Sequence, residues 1–438
     1  MRVNSSWRVL GVLALLGAPA AGAAPTFPDA TASDPVALGW MTGSPPPADK
    51  QIRLEDGSYY RFPQLRWTFS HWREIFPTAD IPRGTGPVAV LPRAERRDID
   101  AIRFTVLDTS QEMTWRESLA ANYTDGIVVL HRGRIVYERY FGAGAAERPH
   151  IAFSATKSYI GTMAATLIAS GKLDPKAHVA TYIPELKDGG FGDATVAQVL
   201  DMTTGIKFSE IYGDPNSDVP GYARAVGMFP RPAGYSGPVG VYAYLATVPK
   251  QGEHGAAFTY RSVNSDVAGW LVARASGVPL DRLLEETIWS RLGAEGDADM
   301  QVDANGTPLA AGGFNARLRD MARFGEMLRL NGRFNGQQVV PAAAVAEIRR
   351  GGDREAFAKA GYKTLPGWSY HDQWWFSNNA HGAFMARGVH GQAIYIDPKA
   401  EMVIARFASH PMAANANLDP TSLPAYAALG DYLLAHPR

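Results

Sequence analysis

The sequence predicts an α+β fold in which an antiparallel sheet is flanked by helices and interrupted by a helical insert. Two β-rich runs, Gly126 to Leu130 and Ile135 to Tyr140, flank the Gly-containing turn His131-Arg132-Gly133-Arg134 and read as a hairpin. Two more, Ala393 to Ile396 and Met402 to Phe407, close the chain around Asp397-Pro398-Lys399-Ala400-Glu401. Between these outer strands the apolar spacing is helical, and strands at both ends with helices between imply one antiparallel sheet covered by helices.

The elements follow in order. Arg2 and Arg8 precede the apolar run Val9 to Leu16 and the small-x-small site Ala21-Gly22-Ala23, the pattern of a cleavable export signal over 1–23. The run is too short for a membrane span, and no later segment reads as one, so the mature chain is expected in the periplasm or secreted, with no membrane contact. Residues 24–115 are rich in Pro and Trp and weakly periodic, with Pro45-Pro46-Pro47 marking a loop. They are expected to form an ordered extension packed on a main domain at 116–438. After the hairpin a helix is expected from Ser154 through Ile160, Met163, Ala164, Leu167 and Ile168 to Gly171, buried on one side. The helical insert spans about 172–305, with patterns at Val196 to Met202, Asp266 to Ala275 and Leu280 to Trp289. A further helix is expected from Ala316 to Leu330, and a terminal one from Pro424 to Leu434.

Composition excludes several chemistries. Lys plus Arg and Asp plus Glu number 43 each, so the chain lacks the basic footprint of a nucleic-acid binder. There is no cysteine, hence no disulfide, thiol nucleophile or Cys-ligated metal. The ten histidines are scattered without a His-Glu-x-x-His helix, and no metal or organic cofactor is expected. Gly234-Tyr235-Ser236-Gly237-Pro238 fails the Gly-x-Ser-x-Gly elbow at its last position.

The chemistry is concentrated in Phe153-Ser154-Ala155-Thr156-Lys157-Ser158. Residues three apart share a helix face, so the Ser154 hydroxyl meets the Lys157 amine. Free N–H groups at the helix start favour developing negative charge at Ser154 and disfavour an ammonium on Lys157; with burial, this lowers the lysine toward a useful base. A Ser-x-x-Lys match arises about once or twice by chance in a chain this long. Its position at a helix start is what distinguishes it.

Two further segments complete the pattern. Tyr260-Arg261-Ser262, running into a helix that ends at Ser276-Gly277, matches the Tyr-x-Asn element of the serine β-lactamase-like superfamily, with Ser262 at the usual asparagine position. A phenol beside Lys157 is expected to have its anionic form favoured by the lysine cation, so that the two move a proton as a unit. The superfamily's Lys-Thr-Gly or His-x-Gly edge strand aligns with Ala386-Arg387-Gly388, which implies an oxyanion hole from the N–H groups of Ser154 and Val389.

In order, these segments resemble the branch of that superfamily holding 6-aminohexanoate-dimer (nylon-oligomer) hydrolases and related carboxylesterases. Trp40-Met41-Thr42-Gly43, Arg66 to His71, Gly171-Lys172-Leu173-Asp174, Leu200 to Gly205, Arg319 to Gly325 and Gly391-Gln392 extend the resemblance over nearly all the mature chain. It implies a β-lactamase/transpeptidase-like fold and a serine hydrolase for small amides or esters, with Ser154, Lys157 and Tyr260 catalytic and Ser262 and Tyr212 contacting substrate. Two alternatives stay open. A β-lactamase or DD-peptidase would need Arg387 to supply the charge that Ala386 lacks, and a non-catalytic acyl-binding sensor would keep the same residues. The sequence leaves the oligomeric state open.

Overall fold

The structure, a computed structural model, describes residues 26–437; the expected export segment at 1–23 lies outside the described residues. Among the described residues no helix is long and apolar enough to cross a membrane.

The first hairpin forms where expected. Strands Thr124–His131 and Arg134–Tyr140 are joined by Arg132 and Gly133, both at positive φ (52° and 73°), the twist-matched two-residue turn. The C-terminal strand Met402–Ala408 pairs antiparallel with Thr124–His131, so the two ends of the domain share one sheet. Its seven strands run in the order Ser369–His371, Trp374–Phe376, Phe384–Gly388, Gln392–Asp397, Met402–Ala408, Thr124–His131, Arg134–Tyr140.

Alternate residues divide between two cores, as the pleat requires. Val128, Leu130, Ile394, Ile396, Val403 and Ala405 join the larger core with helices Thr156–Ala169, Val263–Ser276 and Leu318–Arg329. Ile127, Val129, Tyr395 and Ile404 face the opposite core, which contains Trp115, Leu119, Tyr426 and Leu429 of helices Trp115–Ala121 and Asp419–Ala435. The result is a helix–sheet–helix sandwich.

Three expectations are corrected. First, helix Thr156–Ala169 is buried on every side through Ala165 rather than along one stripe. Three of its hydroxyls are satisfied within the fold: Thr162 and Thr166 donate to the carbonyls of Ser158 (2.7 Å) and Thr162 (2.8 Å), and Ser158 donates to Gln373 O (2.8 Å). Gly161 lets the Asp372 carbonyl approach so closely that a Cβ would lie 1.9 Å from it. Secondly, the insert contains strand Ala298–Gln301, which pairs with Thr78–Ile81 and Phe314–Ala316; the last pairs with His150–Ile151 in a second, four-stranded sheet. Ala316 therefore ends a strand, and the next helix starts at Leu318. Thirdly, the terminal helix starts at Asp419 and carries Pro424 inside it. The carbonyl that Pro424 cannot bond, that of Pro420, accepts from Leu107 N at 3.0 Å.

Residues 26–115 lie against this sandwich. Ile135 N donates to Pro92 O, and Ala94 N and Arg96 N donate to Ile135 and Val136 carbonyls, each at 2.8 Å, covering the sheet's edge strand. Tyr59, Trp67, Phe69, Trp72 and Phe76 bury against Ile151 and Phe153. Arg66, 2% exposed, donates to Ser409 Oγ (3.1 Å) and Asp125 Oδ1 (3.3 Å), and Ser409 donates to the same carboxylate at 2.9 Å. Replacing Arg66 with Ala leaves the buried Asp125 carboxylate without its guanidinium partner, and the expected loss is about 3 kcal/mol or more in denaturant unfolding. A loss below about 1 kcal/mol would show that the network does not tie the two segments together.

Candidate active site

Phe153 carries φ +43°, a left-handed turn that sets the short 3-10 segment Phe153–Ala155 before helix Thr156–Ala169. Ser154 (7% exposed) and Lys157 (1%) then sit on one face, with Lys157 Nζ donating to Ser154 Oγ at 3.0 Å and also to the Ala311 carbonyl. Burial pulls the lysine down to about 8, against the opposing fields of Glu210 and Asp266.

The Tyr260 ring centroid lies 5.3 Å from Lys157 Nζ, at the mouth of helix Val263–Ser276, and packs on Trp375 at 5.5 Å. The expectation of a favoured phenolate is corrected. Burial and the Glu210 carboxylate push Tyr260 well above its ordinary value, so the resting group is a neutral phenol and the lysine is the more available base.

Ser262 and Tyr212 converge on a carboxylate that the sequence reading passed over. Glu210 Oε1 accepts from Ser262 Oγ (2.7 Å) and Tyr212 Oη (2.6 Å), and Oε2 accepts from Ser262 N. Tyr212 is 41% exposed, with its hydroxyl held inward by this bond. A second missed carboxylate, Asp266, is buried beneath the site, where its Oδ1 accepts from Ala311 N (2.9 Å) and Oδ2 from Tyr222 Oη (2.6 Å). Burial raises it to about 6. One residue thus links the two groups: Ala311 N–H meets Asp266 and Ala311 C=O meets Lys157. An aspartate on the apolar face of a helix is the signal that marks Asp266; Glu210, in an aperiodic loop, leaves none.

Strand Phe384–Gly388 is third in the sheet, which corrects its expected edge position. Its neighbour Trp374–Phe376 pairs only with Phe384 and Met385, so the Ala386–Gly388 end has a ladder partner on one side alone. Gly388 lies against the chain leading to Ser154: a Cβ there would come within 2.4 Å of Ala152 O. Val389 follows, half-buried against the aromatic cluster that holds Phe153. Arg387 points elsewhere. Its guanidinium, 5% exposed, is paired with Asp419 and packs over Trp375 at 5.0 Å.

Another titratable cluster, Asp201, His371 and Asp372, brings three potential ligand atoms within 4.8 Å of one another behind the Ser154 helix. Its bonds are those of a hairpin brace: Asp201 Oδ1 faces His371 Nδ1 at 2.8 Å and Arg350 Nη2 faces His371 Nε2 at 3.1 Å.

These environments predict that the Lys157 Cε resonance, followed by NMR in 13C-lysine-labelled protein, titrates with a midpoint near about 8. Glu210→Gln should move it lower still, because the removed charge favours the ammonium. A midpoint at the ordinary value of 10.5 would contradict the desolvated amine.

With this geometry in place, comparison with known proteins is informative. The Beta-lactamase family model matches residues 117–421. A 6-aminohexanoate-dimer hydrolase of Paenarthrobacter ureafaciens is 34% identical over 355 residues, 81% of this chain and 88% of that protein. A solved structure from Bacillus anthracis, described as a candidate 6-aminohexanoate-dimer hydrolase, superposes with a TM-score of 0.80 at 30% identity, covering 90% of this chain and 100% of that one. A family VIII carboxylesterase shares the fold at a TM-score of 0.51 and 20% identity, over 72% and 96% of the two chains. Fold and sequence agree over most of the length, and the chain belongs to the Beta-lactamase family, as one of its serine hydrolases.

Proposed function

We propose that the protein hydrolyses small amides or esters, of the 6-aminohexanoate-dimer or carboxylester kind, through an acyl-enzyme on Ser154. The observation that carries this reading is the 3.0 Å bond from a lysine amine, lowered to about 8 by burial, to the hydroxyl that precedes it by three residues. In the first step Ser154 Oγ bonds to the substrate carbonyl carbon and its proton passes to the Lys157 amine. The N–H groups of Ser154 and Val389 hold the oxyanion. Tyr260, a neutral phenol beside both groups, gives its proton to the departing amine or alcohol and is reprotonated from Lys157. A water then takes the place of the leaving group: it loses a proton along the same path, adds to the acyl carbon and releases the acid with Ser154 restored.

Two features support small neutral or amine-bearing acyl groups over β-lactams. Ala386 offers no charge to an antibiotic carboxylate, and Arg387 is committed to Asp419 inside the fold, so the charge-assisted contact that such substrates require has no donor here. The relative of 34% identity, named for the aminohexanoate dimer, supports the amide half of the reading. The export pattern at 1–23 supports a mature enzyme that acts in the periplasm or outside the cell.

A fluorophosphonate should add its mass to Ser154, and Ser154→Ala should abolish both label and turnover; labelling elsewhere with turnover retained would refute the nucleophile. Lys157→Ala and Tyr260→Phe should each lower kcat by roughly a hundredfold or more. The double variant should lose much less than the product of the two, because the residues move one proton. Fully multiplicative losses would argue for separate roles. Across a panel of short p-nitrophenyl esters, linear aminohexanoate dimer and a cephalosporin, the highest kcat/KM should fall on an ester or the linear amide. A cephalosporin in first place would promote the β-lactamase alternative.

A further inference from the structure

Both proposed oxyanion donors adjoin a bulky residue in the left-handed region. Phe153, at φ +43°, precedes Ser154, and His390, at φ +62°, follows Val389. Non-glycine residues adopt this conformation only where their surroundings impose it. Here the surroundings are shared. The Phe153 and His390 rings lie 5.8 Å apart, and Phe69, from the 26–115 segment, packs on both at 4.8 and 5.0 Å. Tyr60, from the same segment, meets both rings edge-on at 6.4 and 5.3 Å.

The imidazole of His390 is also held at both nitrogens. Nδ1 lies 2.6 Å from the His410 carbonyl, which only accepts, so Nδ1 carries the proton and Nε2 is an acceptor. Tyr60 Oη donates to Nε2 at 2.8 Å. The His390 backbone is tied as well, its N–H to Ala413 O at 2.9 Å and its C=O to His410 N at 3.2 Å. Burial keeps the ring neutral, with its value lowered to about 4, so this bonding pattern holds throughout the neutral range.

We infer that the N-terminal segment is part of the catalytic apparatus: Tyr60 is a positioning residue whose hydroxyl, through His390, fixes the peptide that presents the Val389 N–H to the oxyanion. The inference rests on the assignment of Val389 and Ser154 N–H as oxyanion donors. Its reasoning is that a donor contributes only when already aimed at the charge of the transition state, so a brace that prevents peptide rotation acts on that state and leaves ground-state binding alone. Phe153, which precedes Ser154, and Val389 pack in the cluster that this segment builds, whereas Lys157 lies in the main-domain helix Thr156–Ala169.

The test compares wild type, Tyr60→Phe, His390→Asn and the double variant in steady-state hydrolysis of a p-nitrophenyl ester. It adds inhibition by a small alkylboronic acid, whose tetrahedral adduct on Ser154 places an oxygen where the oxyanion forms. Asparagine tolerates the left-handed backbone, so His390→Asn removes the acceptor without forcing the turn. Tyr60→Phe should lower kcat roughly tenfold, leave KM within about twofold and weaken boronate inhibition by a factor similar to the kcat loss. In the His390→Asn background, Tyr60→Phe should change little further, since the bond is already absent. The inference is overturned if Tyr60→Phe leaves kcat and boronate inhibition within about twofold of wild type. It is equally overturned if the loss appears only in KM or in thermal stability, or if the two substitutions multiply. Wild-type protein that a fluorophosphonate labels at a residue other than Ser154 defeats the nucleophile assignment itself, and is thereby distinguished from a failed brace.

Discussion

An amine held out of water is the constraint around which this protein is arranged. Lys157 lies 1% exposed at the start of a helix with no solvent-facing side through most of its length. Lowering a lysine from 10.5 to about 8 corresponds to about 3 kcal/mol against its ammonium form. That cost is tolerable because the neutral amine is satisfied in place, donating to Ser154 Oγ and to the Ala311 carbonyl. The packing of the helix follows from the same need. Gly161 admits the Asp372 carbonyl, Ser158 bonds Gln373 O and the threonines bond backward along the helix, so these three hydroxyls are paired without water.

Desolvation is opposed by two carboxylates, and their arrangement decides how far it goes. Asp266 reaches the lysine through the backbone N–H and C=O of Ala311, while Glu210 is spent on Ser262 and Tyr212 at 2.7 and 2.6 Å. Both fields favour the ammonium, and burial outweighs them. In the proposed mechanism this balance lets Lys157 take a proton from serine and return it, whereas Tyr260, pushed upward by burial and by Glu210, holds its proton until a leaving group demands it. An acid and a base of distinct strength thus arise from neighbouring groups in one pocket.

Much of this could be read from the sequence, and what was missed has physical reasons. The Arg132-Gly133 hairpin and the Ser154 helix announce themselves because turn chemistry and helical period are local. The second sheet does not, since Thr78–Ile81, His150–Ile151, Ala298–Gln301 and Phe314–Ala316 are two to four residues long and find partners only through the tertiary fold. Ser154, Lys157 and Tyr260 are legible as motifs, but the protonation of Tyr260 is not, because it depends on burial in the tertiary fold and on Glu210, a loop residue without periodic context. Burial on every side of a helix bearing Ser158 and Thr162 is likewise invisible to hydrophobic patterning, since hydroxyls bonded to backbone carbonyls behave as apolar groups.

The proposed mechanism requires that Ser154 be acylated only when Lys157 is neutral. It is tested most directly by rapid-quench measurement of the acylation burst with a p-nitrophenyl ester from pH 6 to pH 10, with the acyl group mapped by mass spectrometry. A burst on Ser154 is expected whose rate rises with pH through a midpoint of about 8 and then levels. A burst rate independent of pH over that range, or an acyl group found on another residue, would contradict it.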